Sequence, residues 1–464
     1  MIPDWCKVLV LGLTLTAAAS GENLTVVFTP KENGDVARGV LIVMASPRPF
    51  SSQSAGLMTA YGGRLLAEPG VVLQAGQSVA LNLSNLPPEY RYVAVMLDTN
   101  HNFMWRGMPD PGEYTSARVV ERNGRDFYLR LNQKKLDAQR RVPDWMEEHS
   151  VSSQLVKGEQ RMLVGLPPGY SSSQQTYPVV LISHGFNGDR WSYLHRFHSW
   201  RNWMKEHPMI LVSLDSYGEY GHHLFLDSPG NGPRLRVLRE EILPYIDRTF
   251  RSNGRRVLYG HSSGGWTVAS LLRRAPDLFA GGVASAPDPL TLDDWWRGDQ
   301  NNLYRDSGGD RCFAPSLGLT MRHFVECERE SYSYGQFSGF LAPFSWLSSQ
   351  PGWLRFETPF DLETGDLQPD VWEQWKDNDL LLWAQTHPDQ ARSCWEHKLR
   401  LLVGDADEFG LTRTTREFSR ELNRLGIAHG YTEVKGAGHF DLEAEQDRGG
   451  SLWRELYELV TPGE

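Results

Sequence analysis

Apolar and polar positions change rhythm along the 464-residue chain. From Gly21 to about Gln139 the apolar residues come in short alternating runs, NLTVVFTP, GVLIVMAS, SVALNL, YRYVAVMLD and FYLRLN, divided by glycine, proline and asparagine. Short strands at this spacing predict a small all-β sandwich over residues 21–139. A polar, helix-prone connector, QKKLDAQRRVPDWMEEHS, leads out of it. Beyond the connector, denser apolar runs alternate with helical segments. The runs are EQRMLVGLP, YPVVLISHG, MILVSLDS, RRVLYG, GGVASAP, LRLLVGDAD and YTEVKG. In GPRLRVLREEILPYIDRTF, Leu235, Leu238, Ile242 and Ile246 recur at helical spacing; in TRTTREFSRELNRLG, Phe418, Leu422 and Leu425 share a face before Gly426 stops the helix. Such alternation predicts an α/β domain over 140–464, with a mostly parallel central sheet flanked by helices.

One interval breaks the alternation. Residues 288–397 are too many for a bare loop and predict a cap inserted in the α/β domain. Eight of the chain's sixteen tryptophans fall there: Trp295, Trp296, Trp346, Trp353, Trp372, Trp375, Trp383 and Trp395. Large aromatics of this kind build cores first, and the remainder can line a cleft.

The first 20 residues follow another pattern. Lys7 precedes the apolar run VLVLGLTLTAAA, which is short for a bilayer span and ends in Ala17, Ala18, Ala19 and Ser20. This predicts a signal peptide over 1–20 and a secreted or periplasmic mature protein with no stable membrane insertion once the signal is removed. Hydrophobic residues at 40% and charged residues at 22% fit an ordinary globular protein, and a net charge of −10 disfavours a nucleic-acid partner. No internal repeat or low-complexity tract is evident. Without the signal, Cys312, Cys327 and Cys394 remain, so at most one disulfide forms; Cys312 with Cys327 is the simplest pairing, though spacing does not fix it.

The chemistry enters at RRVLYGHSSGGWTVASLL. An apolar strand runs into Gly260-His261-Ser262-Ser263-Gly264 and a helix opens at once. A lone G-x-S-x-G is weak evidence, but this context is that of a nucleophile elbow, where small residues permit a sharp turn that presents the serine above the strand ends. Ser262 takes the nucleophile position, and the backbone N–H of Ser263 faces a developing oxyanion. A serine needs a base, and the base an orienting carboxylate. In the order serine, acid, histidine, the chain offers Asp407 after LRLLVG and His439 after YTEVKGAG, each beyond a predicted strand. Asp405 and Asp288 compete with Asp407 for the acid. VVLISHGFNG ends a strand in His184-Gly185, so the N–H of Phe186 is the second oxyanion donor, with Asn187 next in line and His184 bracing the loop.

With these residues in place, the stretches LPPGY, YPVVLISHG, GHSSGGW, GDADEF and GAGHF resemble α/β-hydrolase-fold serine esterases of the group that includes esterase D and enterochelin esterase, over about residues 150–460. The stretches GHHLFLDSPGNGP, SAPDP and TGDLQPDVWEQW are similar to exported bacterial members. The resemblance implies the fold and a hydrolytic triad but no settled substrate, and the long Trp-rich insertion departs from compact members. The N-terminal module resembles transthyretin-like or immunoglobulin-like sandwiches.

Asp98, Asn100 and Asn102 alternate as calcium ligands would, but Phe103 and Pro109 stand where such a loop needs glycine and glutamate, so a polar turn is expected. Adjacent His222 and His223 are poor joint metal ligands, and no phosphate-binding loop occurs. No cofactor is implied. The expectation is an exported serine hydrolase acting on a small-molecule or saccharide-linked carboxylic ester. The rivals are an oligopeptidase of the same fold and a catalytically silent glycan- or peptide-binding protein.

Overall fold

The computed structural model describes residues 22–31, 35–50, 63–99, 112–135, 141–218, 220–292, 301–314, 319–331, 336–349, 353–442 and 450–461. The segment expected as a signal peptide, the loop residues Asn100 and Asn102, and Trp295 and Trp296 lie outside the described residues.

The N-terminal module is built from β1 (Asn23–Phe28), β2 (Val36–Ser46), β3 (Arg64–Gln74), β4 (Ser78–Asn82), β5 (Tyr92–Asp98), β6 (Tyr114–Ser116), β7 (Val120–Glu121) and β8 (Phe127–Lys134). Alternation sets its core: Leu24, Val26 and Phe28 of β1 point inward with Leu41, Val43, Val95 and Leu129. Its strands form one hydrogen-bonded path, β3-β2-β5-β6-β8-β1-β4 with β7 on β5, where two separate sheets were expected. Short β6 pairs with both β5 and β8 and carries a register shift at Thr115 and Ser116, so the sheet curls over its own core. β3 is not among the alternating runs marked in the sequence, and it contains Pro69-Gly70. In the fold those residues bend a single strand where β2 shifts register between Gly39 and Leu41.

The second sheet contains β9 (Met146–Ser152), β10 (Glu159–Gly165), β11 (Tyr177–Ser183), β12 (Ile210–Leu214), β13 (Ser252–His261), β14 (Gly281–Ser285), β15 (Leu399–Gly404) and β16 (Gly430–Val434). Their order is β16-β15-β14-β13-β11-β12-β10-β9. Pairing is parallel from β16 to β12 and antiparallel at β10 and β9, giving the expected α/β arrangement. β9 corrects the helix-prone reading of the connector. MEEHSVS alternates, and ladder pairing with β10, Glu147 opposite Val164 and His149 opposite Met162, outweighs the helix propensity of its glutamates.

Helices cover both faces. On one lie α1 (Leu194–Trp203) and α10 (Ser451–Val460), with Trp200 and Trp453 against Tyr259 of β13. On the other lie a continuous helical run from Arg234 to Thr249, termed α2, then α3 (Ser263–Arg274) and α9 (Leu411–Arg424). The insertion contributes α4 (Met321–Ser331), α5 (Gln336–Leu341), α6 (Pro369–Trp375), α7 (Leu380–Thr386) and α8 (Pro388–Trp395). Trp372, Trp375 and Trp395 are buried in the same apolar core as α2 and α3, Trp353 and Trp383 pack at its margin, and Trp346 is exposed. Rings connect the layers: Phe344 meets Trp266 of α3 at 5.5 Å and Trp375 of α6 at 5.5 Å.

Arg64 of β3 pairs with Glu330 of α4 at 2.7 Å, joining the N-terminal module to the insertion. The disulfide considered above is not formed. Cys312 is a free, exposed thiol, Cys394 is free and buried, and the side chain of Cys327 lies outside the described residues.

Candidate active site

The turn between β13 and α3 leaves little room for side chains. Ser262 sits at φ 59° and ψ −126°, a strained conformation for a residue with a Cβ. It is held by Ser262 N–H to Ser285 O at 2.9 Å and Asp288 N–H to Ser262 O at 3.1 Å. Both flanking glycines are required by close backbone approach. A Cβ on Gly264 would stand 2.3 Å from Ser183 O, and one on Gly260 2.2 Å from Gly264 O. The elbow therefore raises Ser262 above the ends of β11, β13 and β14.

The loops after β15 and β16 bring the other expected residues together. His439 Nδ1 and Asp407 Oδ2 are 2.8 Å apart, and both side chains are buried. Asp407 Oδ1 accepts the N–H groups of Phe409 and Leu411, so the carboxylate is held from both sides. Asp405 is exposed and accepts Gly436 N–H at 2.6 Å, bracing the neighbouring loop away from the imidazole. His439 N–H donates to Glu408 Oε2 at 2.5 Å. His261, between Gly260 and Ser262, packs its ring 4.5 Å from that of His439 and meets Ser285 Oγ through Nδ1 at 2.9 Å. Burial, reinforced by the neighbouring His439, holds its pKa well below the usual histidine range.

The expected nucleophile, Ser262, is not bonded to the expected base, His439. Ser262 Oγ donates to Asp288 Oδ1 at 3.2 Å, and no hydrogen bond joins it to His439. Asp288 follows β14 and is 7% exposed. Burial pushes its carboxyl up to about 7, against the opposing effects of His439 and the Ser262 hydrogen bond. Asp288 thus does not take the place of Asp407 beside the histidine; it faces the serine.

The expected oxyanion residues flank Ser262. Ser263 is the first residue of α3, where N–H groups have no intrahelical acceptor. On the opposite side, a Cβ on Gly185 would lie 3.3 Å from Ser262 Cβ, so the loop carrying Phe186 passes against the nucleophile. Asn187 follows at φ 61°. A buried chain of hydrogen bonds links the two sides. Ser216 N–H donates to His184 Nε2 at 2.9 Å, so that nitrogen is an acceptor and the proton of a neutral ring sits on Nδ1, which donates to Gly185 O at 2.8 Å. Ser216 Oγ contacts His184 Nε2 at 2.8 Å and His222 Nε2 at 2.7 Å, and His222 Nδ1 meets Ser263 Oγ at 2.8 Å. Burial holds His222 well below the usual histidine pKa, so one ring nitrogen donates while the other accepts. The sequence singled out His184 as a brace, but His222 and Ser216 carry no local signal: adjacent histidines read only as an unsuitable ligand pair.

Aromatic rings border the site. Phe186 stacks on Phe340 of α5 at 4.2 Å, Phe409 lies 4.8 Å from the His439 ring, and Phe440 is 74% exposed beside it. Among the described residues no group of three or more His, Cys, Asp or Glu side chains could hold a metal ion, and no helix is long and apolar enough to cross a membrane.

The family model described as "Putative esterase" matches residues 152–456. Among curated proteins, none matches the sequence. Similar solved structures include a ferulic acid esterase, at 18% identity and TM-score 0.43 over 68% of this chain and 98% of that one. An S-formylglutathione hydrolase from Agrobacterium tumefaciens is 15% identical at TM-score 0.44, covering 68% of this chain and 95% of that one. The fluorophosphonate-binding serine hydrolase F of Staphylococcus aureus is 15% identical at TM-score 0.42, over 68% of this chain and 98% of that one.

Proposed function

We propose that this chain, which belongs to the Putative esterase family, hydrolyses carboxylic esters in two steps through an acyl-enzyme on Ser262. The observation that carries the reading is the convergence of a strained serine elbow with a buried His439–Asp407 pair at 2.8 Å. Ser262 Oγ turns from Asp288 to His439 Nε2 and attacks the ester carbon while the imidazole takes its proton. Asp407 fixes the tautomer that leaves Nε2 as the acceptor and stabilises the imidazolium that forms. The N–H groups of Ser263 and Phe186 receive the charge on the carbonyl oxygen. His439 returns its proton to the departing alcohol, and water then repeats the sequence on the acyl-enzyme.

Phe186, Phe409 and Phe440 at the border favour a small-molecule ester with an apolar flank, including one linked to a saccharide. Export by removal of residues 1–20 belongs to the same proposal, supported by the apolar run after Lys7. N-terminal sequencing of protein collected outside the producing cell checks it, and retention of Met1 rejects it.

The direct test is arylester turnover and fluorophosphonate labelling, wild type against Ser262→Ala. Loss of both in the variant is expected. Undiminished turnover in a folded variant removes Ser262 from the reaction.

A further inference from the structure

We propose that Asp288 is a positioning residue of this centre, one that decides whether the proton of the Ser262 hydroxyl points toward His439 or away from it. The inference rests on the serine-hydrolase reading above and adds to it a residue outside the Ser–His–Asp set.

A serine hydroxyl carries one proton and can donate one ordinary hydrogen bond. In this structure the acceptor is Asp288 Oδ1 at 3.2 Å, although His439 is oriented by Asp407 to receive that proton. The other carboxyl oxygen, Asp288 Oδ2, is buried and has no hydrogen-bond partner. The titratable and charged groups facing Asp288 are the His439 imidazole and the Asp407 carboxylate, from the loops after β16 and β15, with the Ser262 hydroxyl from the elbow. Ionised, the carboxylate would hold charge on a buried oxygen to which no protein group donates, an arrangement that burial disfavours. Neutral, it carries its proton on Oδ1 and donates to Ser262 Oγ, which frees the serine proton for His439 Nε2. The same hydrogen bond therefore has two polarities, and only one leaves the nucleophile able to react.

The steps balance in the productive form. Ser262 Oγ bonds to the ester carbon, its proton passes to His439 Nε2, and the carbonyl π pair moves to oxygen. On collapse the carbon–oxygen bond to the alcohol breaks, and the alcohol leaves with the proton from His439. Asp288 keeps its own proton throughout. In the other form the hydroxyl proton is engaged by the carboxylate, and His439 has nothing to accept. Because burial raises the Asp288 carboxyl to about 7, the productive polarity is present below that pH and is lost as pH rises through it.

The test is the pH dependence of kcat/KM for an arylester between pH 6 and 9, wild type against Asp288→Asn. An asparagine here presents N–H to Ser262 Oγ at every pH, since the opposite amide orientation would leave two donors where Oδ2 has no partner. The ratio of variant to wild type is expected to rise on the order of a hundredfold across that range, because a carboxyl titrating at about 7 is mostly neutral at pH 6 and almost wholly ionised at pH 9. A ratio that stays flat or falls overturns the inference. Should the variant not fold, wild type alone decides: its rate of inactivation by a fluorophosphonate is expected to decline above pH 7, and a rate that climbs steadily to pH 9 overturns the inference. Absence of fluorophosphonate labelling in folded wild type at pH 6 rejects the serine reading and this inference together; labelling with a flat ratio rejects this inference alone.

Discussion

Two β-rich regions of the molecule fill their interiors in opposite ways. The N-terminal sheet closes over a cluster that is apolar but for the Tyr114 hydroxyl, with Leu24, Val26, Leu41, Val43 and Val95 in it. Its buried polar groups, Asp98, Glu113, Thr115 and Ser116 among them, stand outside that cluster, and an apolar set of similar volume satisfies the cluster. The rim of the catalytic sheet buries polar groups instead: Ser216, His184, His222, Ser263, Asp288 and His439 are all buried there. A buried polar group tolerates no approximate neighbour, because a lost partner leaves its full desolvation cost uncompensated. The first region is specified by pattern and the second by identity.

Substitutions can test that contrast, beginning with the largest effect. Asp407→Asn should lower kcat by about 10⁴-fold, as loss of the orienting acid frees the wrong imidazole tautomer, whereas Asp405→Asn should leave kcat within about threefold. Steady-state kinetics on both variants checks this, and a larger loss in Asp405→Asn than in Asp407→Asn would reverse the assignment of the acid. In the N-terminal sheet, Leu41→Ala should cost about 2–5 kcal/mol of that module's stability with esterase turnover retained below its melting temperature. Denaturant melts followed by activity separate the two; joint loss would show that the regions are not independent.

A smaller effect is expected from His222→Phe. It breaks the chain between Ser263 and the Gly185 loop, and kcat should fall about 10- to 100-fold with KM nearly unchanged, since the donors it aligns act on the transition state. A rise in KM at constant kcat would instead place His222 in ground-state binding. The least effect belongs to Arg64→Ala. The Arg64–Glu330 pair joins the regions through partly exposed side chains, so its loss should cost about 1 kcal/mol or less by thermal melting.

How much of this was legible in the sequence follows the same divide. Ser262, Asp407 and His439 could be picked out because each follows a strand whose apolar run marks its end, and the elbow glycines announce a local backbone requirement. Asp288 was weighed only as a rival to Asp407. Its contact with Ser262 depends on how the turn after β14 folds back over the elbow, a tertiary fact with no periodicity. His222 and Ser216 were invisible as a pair because hydrogen bonds across a loop leave no spacing rule. In the N-terminal module the alternating strands were plain, while β3 was missed; its burial pattern is irregular around Pro69-Gly70, where the strand bends. The glutamates of β9 suggested helix, and pairing to β10 overrode them. Tryptophan enrichment marked the insertion, but which rings would be interior, Trp372, Trp375 and Trp395, required knowing what they pack against.

The insertion shares its core with the helices of the sheet, and this bears on how substrate reaches Ser262. Phe324, Phe337, Leu341, Trp372 and Trp375 lie in one continuous cluster with residues of α2 and α3. Swinging this body outward would return those side chains to water at about 2 kcal/mol for each. The described part of the insertion is thus held to the sheet by its own core, and a substrate that required its displacement would have to offset that cost on arrival.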